Sequence, residues 1–202
     1  MPPKGLFPEP RPSDLITVPS CEKHNKTYSK DDEYFIWFVA TASPYSPSAM
    51  KVIDDKIVKA FKRKPAYHRR IMSSIVDVEI VTEAGLYVKT VKAFKYEVGR
   101  VRRIVNKIVR ALYHHEKKCE NIFPTSYHVR KFYLLQPPMK KDFVDLIEHS
   151  PGKLIANGDF WYKYRFATED NYLMMWFLMF FGKTLIMALT DRRTHPVWRL
   201  QD

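Results

Sequence analysis

Tyr172-Leu-Met-Met-Trp-Phe-Leu-Met-Phe-Phe181, followed by Gly182-Lys183-Thr184 and Leu185-Ile-Met-Ala-Leu189, is the stretch on which the fold turns. A bilayer-spanning helix needs about 20 consecutive apolar residues and tolerates a central lysine poorly. The first run is half that length, and Lys183 sits in the interruption. The pair therefore reads as two buried strands joined at a turn, with a membrane-embedded hairpin as the competing reading.

Working outward, Phe160, Tyr162, Tyr164 and Phe166 alternate with Trp161, Lys163 and Arg165, the period of a half-buried strand. Met139 to His149 reads as a short helix with Phe143, Leu146 and Ile147 on one side, and Tyr127 to Leu135 as a strand closed by Pro137-Pro138. Between Tyr96 and Lys117 the residues Val98, Val101, Ile104, Val105, Ile108 and Leu112 recur at about 100° per residue. They predict a long amphipathic helix, with Arg100, Arg103, Lys107 and Arg110 on the opposite side. Val76 to Val81 turns through Ala84-Gly85 into Leu86 to Val91 as a hairpin. A short helix covers Ala66 to Ser73. A longer one over 47–64 carries Met50, Ile53, Ile57 and Phe61 as its stripe, opened by Ser46-Pro47 and ended by Pro65. Ser29-Lys-Asp-Asp-Glu, with Ser29 as the capping hydroxyl, starts a helix over 29–42 whose dipole favours those carboxylates. Residues 1–20 are proline-rich and extended, an arm or irregular loop. The fold class is α+β: an N-terminal proline-rich arm and helices, then a mostly antiparallel sheet packed with the long amphipathic helix.

The chain has 202 residues, enough for one principal domain, and 46% apolar residues with six glycines exclude a chain disordered throughout. Thirty-four Lys and Arg against twenty-two Asp and Glu leave a net charge of +12, which favours phosphate-bearing partners without identifying them. Cys21 and Cys119, nearly a hundred residues apart, make no disulfide framework, which fits a reducing cytoplasm. The N-terminus has no apolar core of a signal peptide and six prolines by residue 19, so it is no amphipathic transit helix either. No glycine-rich phosphate loop, nucleophile elbow or paired-carboxylate pattern is present, and Asp31-Asp32-Glu33 reads as a helix start.

Cys21-Glu-Lys-His24-Asn25 is the one local constellation with chemistry. A thiolate and an imidazole two residues apart can bind one zinc ion from a tight turn, but they supply half of a tetrahedral site, and an ordinary surface turn is the alternative. The other histidines, at 68, 114, 115, 128, 149 and 195, offer no matching spaced pair.

The run from Pro2 through Asp14-Leu15 to Cys21, His24 and Asn25, continuing into Ser29-Lys-Asp-Asp-Glu-Tyr-Phe35, resembles the second half of a zinc-containing HNH endonuclease module. The resemblance places Cys21 and His24 at the second zinc pair, with histidine for the usual second cysteine. It places Asn25 at the third signature position, where the family holds a divalent cation such as Mg²⁺ beside the scissile phosphate. Asp14-Leu15 stands where the family has Asn-Leu, and the long continuation is similar to that of a bacterial group with a C-terminal α+β extension. The motif covers about a sixth of the chain, and Ala111-Leu-Tyr-His-His-Glu116 matches more loosely. Residues 1–43 then form a partial HNH-like segment of arm, C-x-x-H turn and helix, and 44–202 a basic α+β domain. The chain starts where the family has just passed its general-base histidine and first zinc pair. The resemblance therefore implies a truncated or degenerate relative that binds nucleic acid, DNA before RNA, without cutting it, and whose first twenty residues, lacking half the zinc ligands, form a loose arm.

The expected phosphate contacts are Lys56, Lys59, Lys62 and Arg63 on the 47–64 helix, Arg69 and Arg70 beside it, and Arg100, Arg103, Lys107 and Arg110 on the long helix. Charged faces opposite an apolar stripe are also what solvation alone produces. Trp161, Tyr162 and Tyr164 are read as sheet core in preference to base-stacking residues. Two alternatives remain. One is a protein-interaction module whose C-terminal strands pair with a partner or a second copy. The other is a metal-dependent DNA endonuclease with its true start upstream of Met1.

Overall fold

The computed structural model describes residues 2–18, 28–116, 127–135, 138–166 and 173–192, apart from the side chains of residues 127, 128, 191 and 192. In chain order, a 3₁₀ turn (Lys4–Leu6) precedes α1 (Ser29–Thr41) and α2 (Pro47–Val52), and a π turn (Ile53–Ile57) joins α2 to α3 (Val58–Arg63). Next come α4 (Pro65–Met72), the strands β1 (Ile75–Val81) and β2 (Tyr87–Phe94), and the long helix α5 (Val98–Glu116). Strand β3 (Tyr127–Leu135), α6 (Lys141–Glu148), β4 (Gly152–Ile155), β5 (Phe160–Phe166), β6 (Met174–Phe180) and β7 (Thr184–Arg192) complete the α+β fold.

The apolar stretch 172–189 supplies the two inner strands of a five-stranded antiparallel sheet ordered β3-β7-β6-β5-β4. Its turn runs through Phe181 (φ 53) and Gly182 (φ 64), left-handed backbone that glycine adopts without strain, and Lys183 N donates to Phe180 O at 3.0 Å. Among the described residues no helix is long and apolar enough to cross a membrane. The inner position of β6 and β7 leaves neither strand an open edge for the partner pairing offered as an alternative, because β6 is bonded on both sides by β5 and β7, and β7 by β6 and β3.

One face of this sheet carries Met174, Trp176, Leu178 and Phe180 into the main core, where α5 contributes Val101, Ile104, Val105, Ile108, Val109 and Leu112. Tyr162 and Trp176 lie 6.2 Å apart between ring centroids, and Phe35 of α1 meets Phe180 edge-on at 5.6 Å. Trp161, Tyr162 and Tyr164 are accordingly packed against the two apolar clusters, as the core reading expected. On the other face α6 sets Ile147 and Phe143 against Phe177, with Phe143 edge-on at 5.8 Å. Strand β4 was not anticipated, since four residues after Pro151 are too short to show a period. It approaches β5 so closely that a Cβ at Gly152 would stand 2.0 Å from Tyr162 O.

Two expectations about the N-terminal region are corrected. The arm is docked: Leu6 and Phe7 are fully buried in the same cluster as α1 and α5, which thus runs across residue 43. Lys56 donates to Gly5 O (2.7 Å) and Phe7 O (2.6 Å), Lys51 donates to Glu9 O (2.9 Å), and Ala156 N donates to the Asp14 carboxylate (2.9 Å). Ser29 is not the cap of α1: the helix is preceded by Tyr28, and no side chain caps it.

The hairpin β1–β2 forms as expected but stands apart from the five-stranded sheet. Val81, Leu86 and Tyr87 at its outer end are 52%, 68% and 60% exposed, while Phe94 at its base packs against Trp37 at 5.0 Å.

Candidate nucleic-acid interface

The ten cations expected to contact phosphate fall into two sets once their partners are known. The first is the corner between α3 and α4. Pro65 at the first turn of α4 fixes the bend, and Ile71 of α4 is buried. Phe61 stacks on His68 (4.7 Å, 29°) and touches Tyr67 (5.8 Å), so the two helices are locked to each other. Burial pushes the Tyr67 phenol up to about 12. From this corner Lys62, Arg63 and Arg69 are exposed, and their side chains make no ion pair or hydrogen bond with the described residues. Lys59 meets Asp55 at 3.6 Å, one turn back, an exposed pair that contributes little.

The remaining cations are already held. Lys56, expected to face phosphate, points inward to the arm carbonyls, and burial lowers its pKa from the ordinary lysine value. Arg70 donates to Glu97 at 2.9 Å. Arg100 Nε donates to Asp31 Oδ1 and Arg103 Nε to Asp31 Oδ2, both at 2.7 Å, and Lys107 Nζ donates at 2.9 and 3.1 Å to Asp32. Arg100 also donates to Lys30 O (2.6 Å) and lies 4.4 Å over the Tyr34 ring. Lys64 adds a two-oxygen pair with Glu33 at 2.9 and 3.0 Å. Arg110 is half-buried and also engaged. The row on α5 thus flanks the apolar stripe and faces the first turn of α1, where Asp31-Asp32-Glu33 do more than start a helix.

Asp31 and Asp32 respond in opposite directions. Burial would raise Asp31, but its hydrogen bonds and charges from Arg103 and Arg100 outweigh that and lower it. Asp32 is raised, because burial exceeds what Lys107 alone returns and Asp31 lies beside it.

A second polar cluster, which residue spacing gave no reason to assemble, closes the C-terminal end of α5. The Tyr162 hydroxyl donates a short hydrogen bond to Glu116, and Tyr164 donates to the same carboxylate at 3.3 Å. Lys153 Nζ donates to Glu116 at 3.1 Å and stands 3.3 Å from His115 Nε2. Burial alone would raise Glu116, yet the hydrogen bonds from Tyr162 and Lys153, with the charges of Lys153 and His115, hold it below its ordinary value. Burial and that same carboxylate push Tyr162 up. A carboxyl lowered on folding contributes stability above its unfolded value, near about 4.3, and loses it as pH falls through the folded one. The stability advantage of wild type over Glu116→Gln should therefore shrink as pH falls from about 6 to about 3. Urea midpoints across that range measure it, and a constant gap would show that the charge contributes nothing.

Cys21, His24 and Asn25, and also Cys119, lie outside the described residues. Among the described residues no group of three or more His, Cys, Asp or Glu side chains is arranged to hold a metal ion. Comparison with family models, with curated proteins and with solved structures finds no match to this chain.

Proposed function

We propose that the protein binds nucleic acid, DNA in the first place, by neutralising backbone phosphates at the α3–α4 corner. The observation that carries this reading is the set of exposed cations Lys62, Arg63 and Arg69, unpaired among the described residues on a locked helical bend. The surrounding stretch 44–95 holds eleven Lys and Arg against five Asp and Glu. The resemblance of residues 2–35 to part of an HNH endonuclease module points to the same partner. No base-reading element is invoked, so the affinity is of the phosphate kind, insensitive to sequence and steep in salt.

The test is fluorescence anisotropy of a labelled DNA duplex between low and moderate salt. Each phosphate contact adds about −0.9 to the slope of log K against log salt, so three contacts give about −2.7. Lys62→Ala/Arg63→Ala/Arg69→Ala should flatten the slope by about that amount and weaken binding by about 10²-fold or more near 0.1 M salt. Absence of binding by the wild type at low salt, or an unchanged slope in the variant, would overturn the reading.

A further inference from the structure

We propose that the first turn of α1 is an autoinhibitory strap, in which Asp31 and Asp32 occupy, in place of nucleic-acid phosphates, the cations Arg103 and Lys107 of α5. This rests on the nucleic-acid reading and concerns its regulation: the protein holds a second phosphate-binding row closed by its own carboxylates.

The geometry separates this strap from a simple structural pairing. Arg100 is 14% exposed and Asp31 is 13% exposed, and Arg100 is further held by Lys30 O and the Tyr34 ring. That pair fastens α1 to α5. Arg103 is 51% exposed and Lys107 34% exposed, so solvent reaches both while their charges are spent on Asp31 and Asp32. Arg103 and Lys107 lie four residues apart and share one helix face, neighbours about 5–6 Å apart at Cβ. Asp31 accepts from two guanidinium groups through separate oxygens, as a phosphate group can. The network extends in both directions: Glu97 bridges Arg70 and Arg100, and Glu33 holds Lys64. A nucleic acid approaching this face meets cations already neutralised and gains no counterion release from them. Opened, each of the two cations would add about −0.9 to the salt slope, equivalent to about eightfold in affinity at 0.1 M salt relative to 1 M.

The strap is tested with the same DNA duplex and salt range on full-length variants whose folding is checked by circular dichroism. Asp31→Asn/Asp32→Asn keeps the side-chain shape and removes the charge. It should bind about tenfold or more tightly than wild type near 0.1 M salt, with a slope steeper by about 1 to 2. Asp142→Asn/Glu148→Gln, which changes net charge equally at two exposed positions of α6, away from both basic rows, should gain far less. Adding Arg103→Ala/Lys107→Ala to the Asp31→Asn/Asp32→Asn variant should cancel the gain. If Asp31→Asn/Asp32→Asn unfolds, Asp32→Asn alone, which frees Lys107 and leaves the Arg100 pair intact, should give about half the slope change. The strap is refuted by a folded variant that binds no more tightly than wild type, by equal gains at Asp142/Glu148, or by a gain that survives loss of Arg103 and Lys107. The α3–α4 corner variant reads separately. Corner binding without a strap effect leaves the proposed function standing, and a strap effect with no corner effect moves the binding face to α5. No binding by any variant overturns both.

Discussion

Phe7→Ala should destabilise the protein by about 3–5 kcal/mol, the range for truncating a fully buried aromatic side chain. In a chain of this size that is a large part of a total stability of about 5–15 kcal/mol. Phe7 is fully buried beside Leu6, and its own carbonyl accepts from Lys56 at 2.6 Å, so the side chain and the backbone are fixed together. The arm does not move aside to relieve the cavity, because Gly5 brings the backbone against α1: a Cβ there would stand 2.7 Å from Ile36 Cδ1. Chemical denaturation measures the loss. A change below about 1 kcal/mol, as at an exposed position, would return the arm to the loose segment that half a set of zinc ligands implies.

Asp31→Ala should cost about 2–3 kcal/mol, toward the lower side of what breaking a buried ion pair costs, since both partners retain some exposure. The loss is not that of one salt bridge. Removing the carboxylate leaves the Arg100 guanidinium, 14% exposed, and the Arg103 guanidinium without their shared acceptor. Lys59→Ala, which breaks only the exposed 3.6 Å pair with Asp55, should change stability by less than about 0.5 kcal/mol. Thermal or urea unfolding of the two variants side by side gives the comparison. Equal small losses would mean that α1 is held to α5 by their shared apolar core alone.

Much of the fold was legible because its elements repeat with a clear period. The α5 stripe, the alternation of β5 and the paired apolar runs of β6 and β7 all follow from side-chain direction on a helix or strand. What escaped was long-range. The prolines of the arm report backbone stiffness faithfully, but nothing local says that Leu6 and Phe7 have a cavity waiting for them. Strand β4 is too short to carry a period, and only its register with β5 defines it. The cations of the candidate site were visible as residues, and their availability was not. Arg100 and Asp31 are 69 residues apart, and a charged face looks the same in sequence whether it meets water, a phosphate or another helix. Lys56 shows the limit most plainly, since its place off the apolar stripe predicts solvent, while its stem carries the ammonium back to the arm carbonyls.

The π turn at Ile53–Ile57 has a consequence for the basic corner. A helix that takes in one residue beyond the α repeat is out of phase from there on, by about 100°. Upstream of the turn Ala49 and Val52 face the core, whereas α3 buries none of its residues. The first half buries Ala49 and Val52, and the second keeps Phe61 half-buried against the same core while Lys62 and Arg63 are delivered to solvent at the bend. Deleting a single residue within 53–57 would leave the composition and charge of the helix almost untouched and turn the cationic edge by more than a quarter of a revolution. The aim of the corner is a property of helical phase, set by a turn that itself carries none of the cations that make up the exposed set.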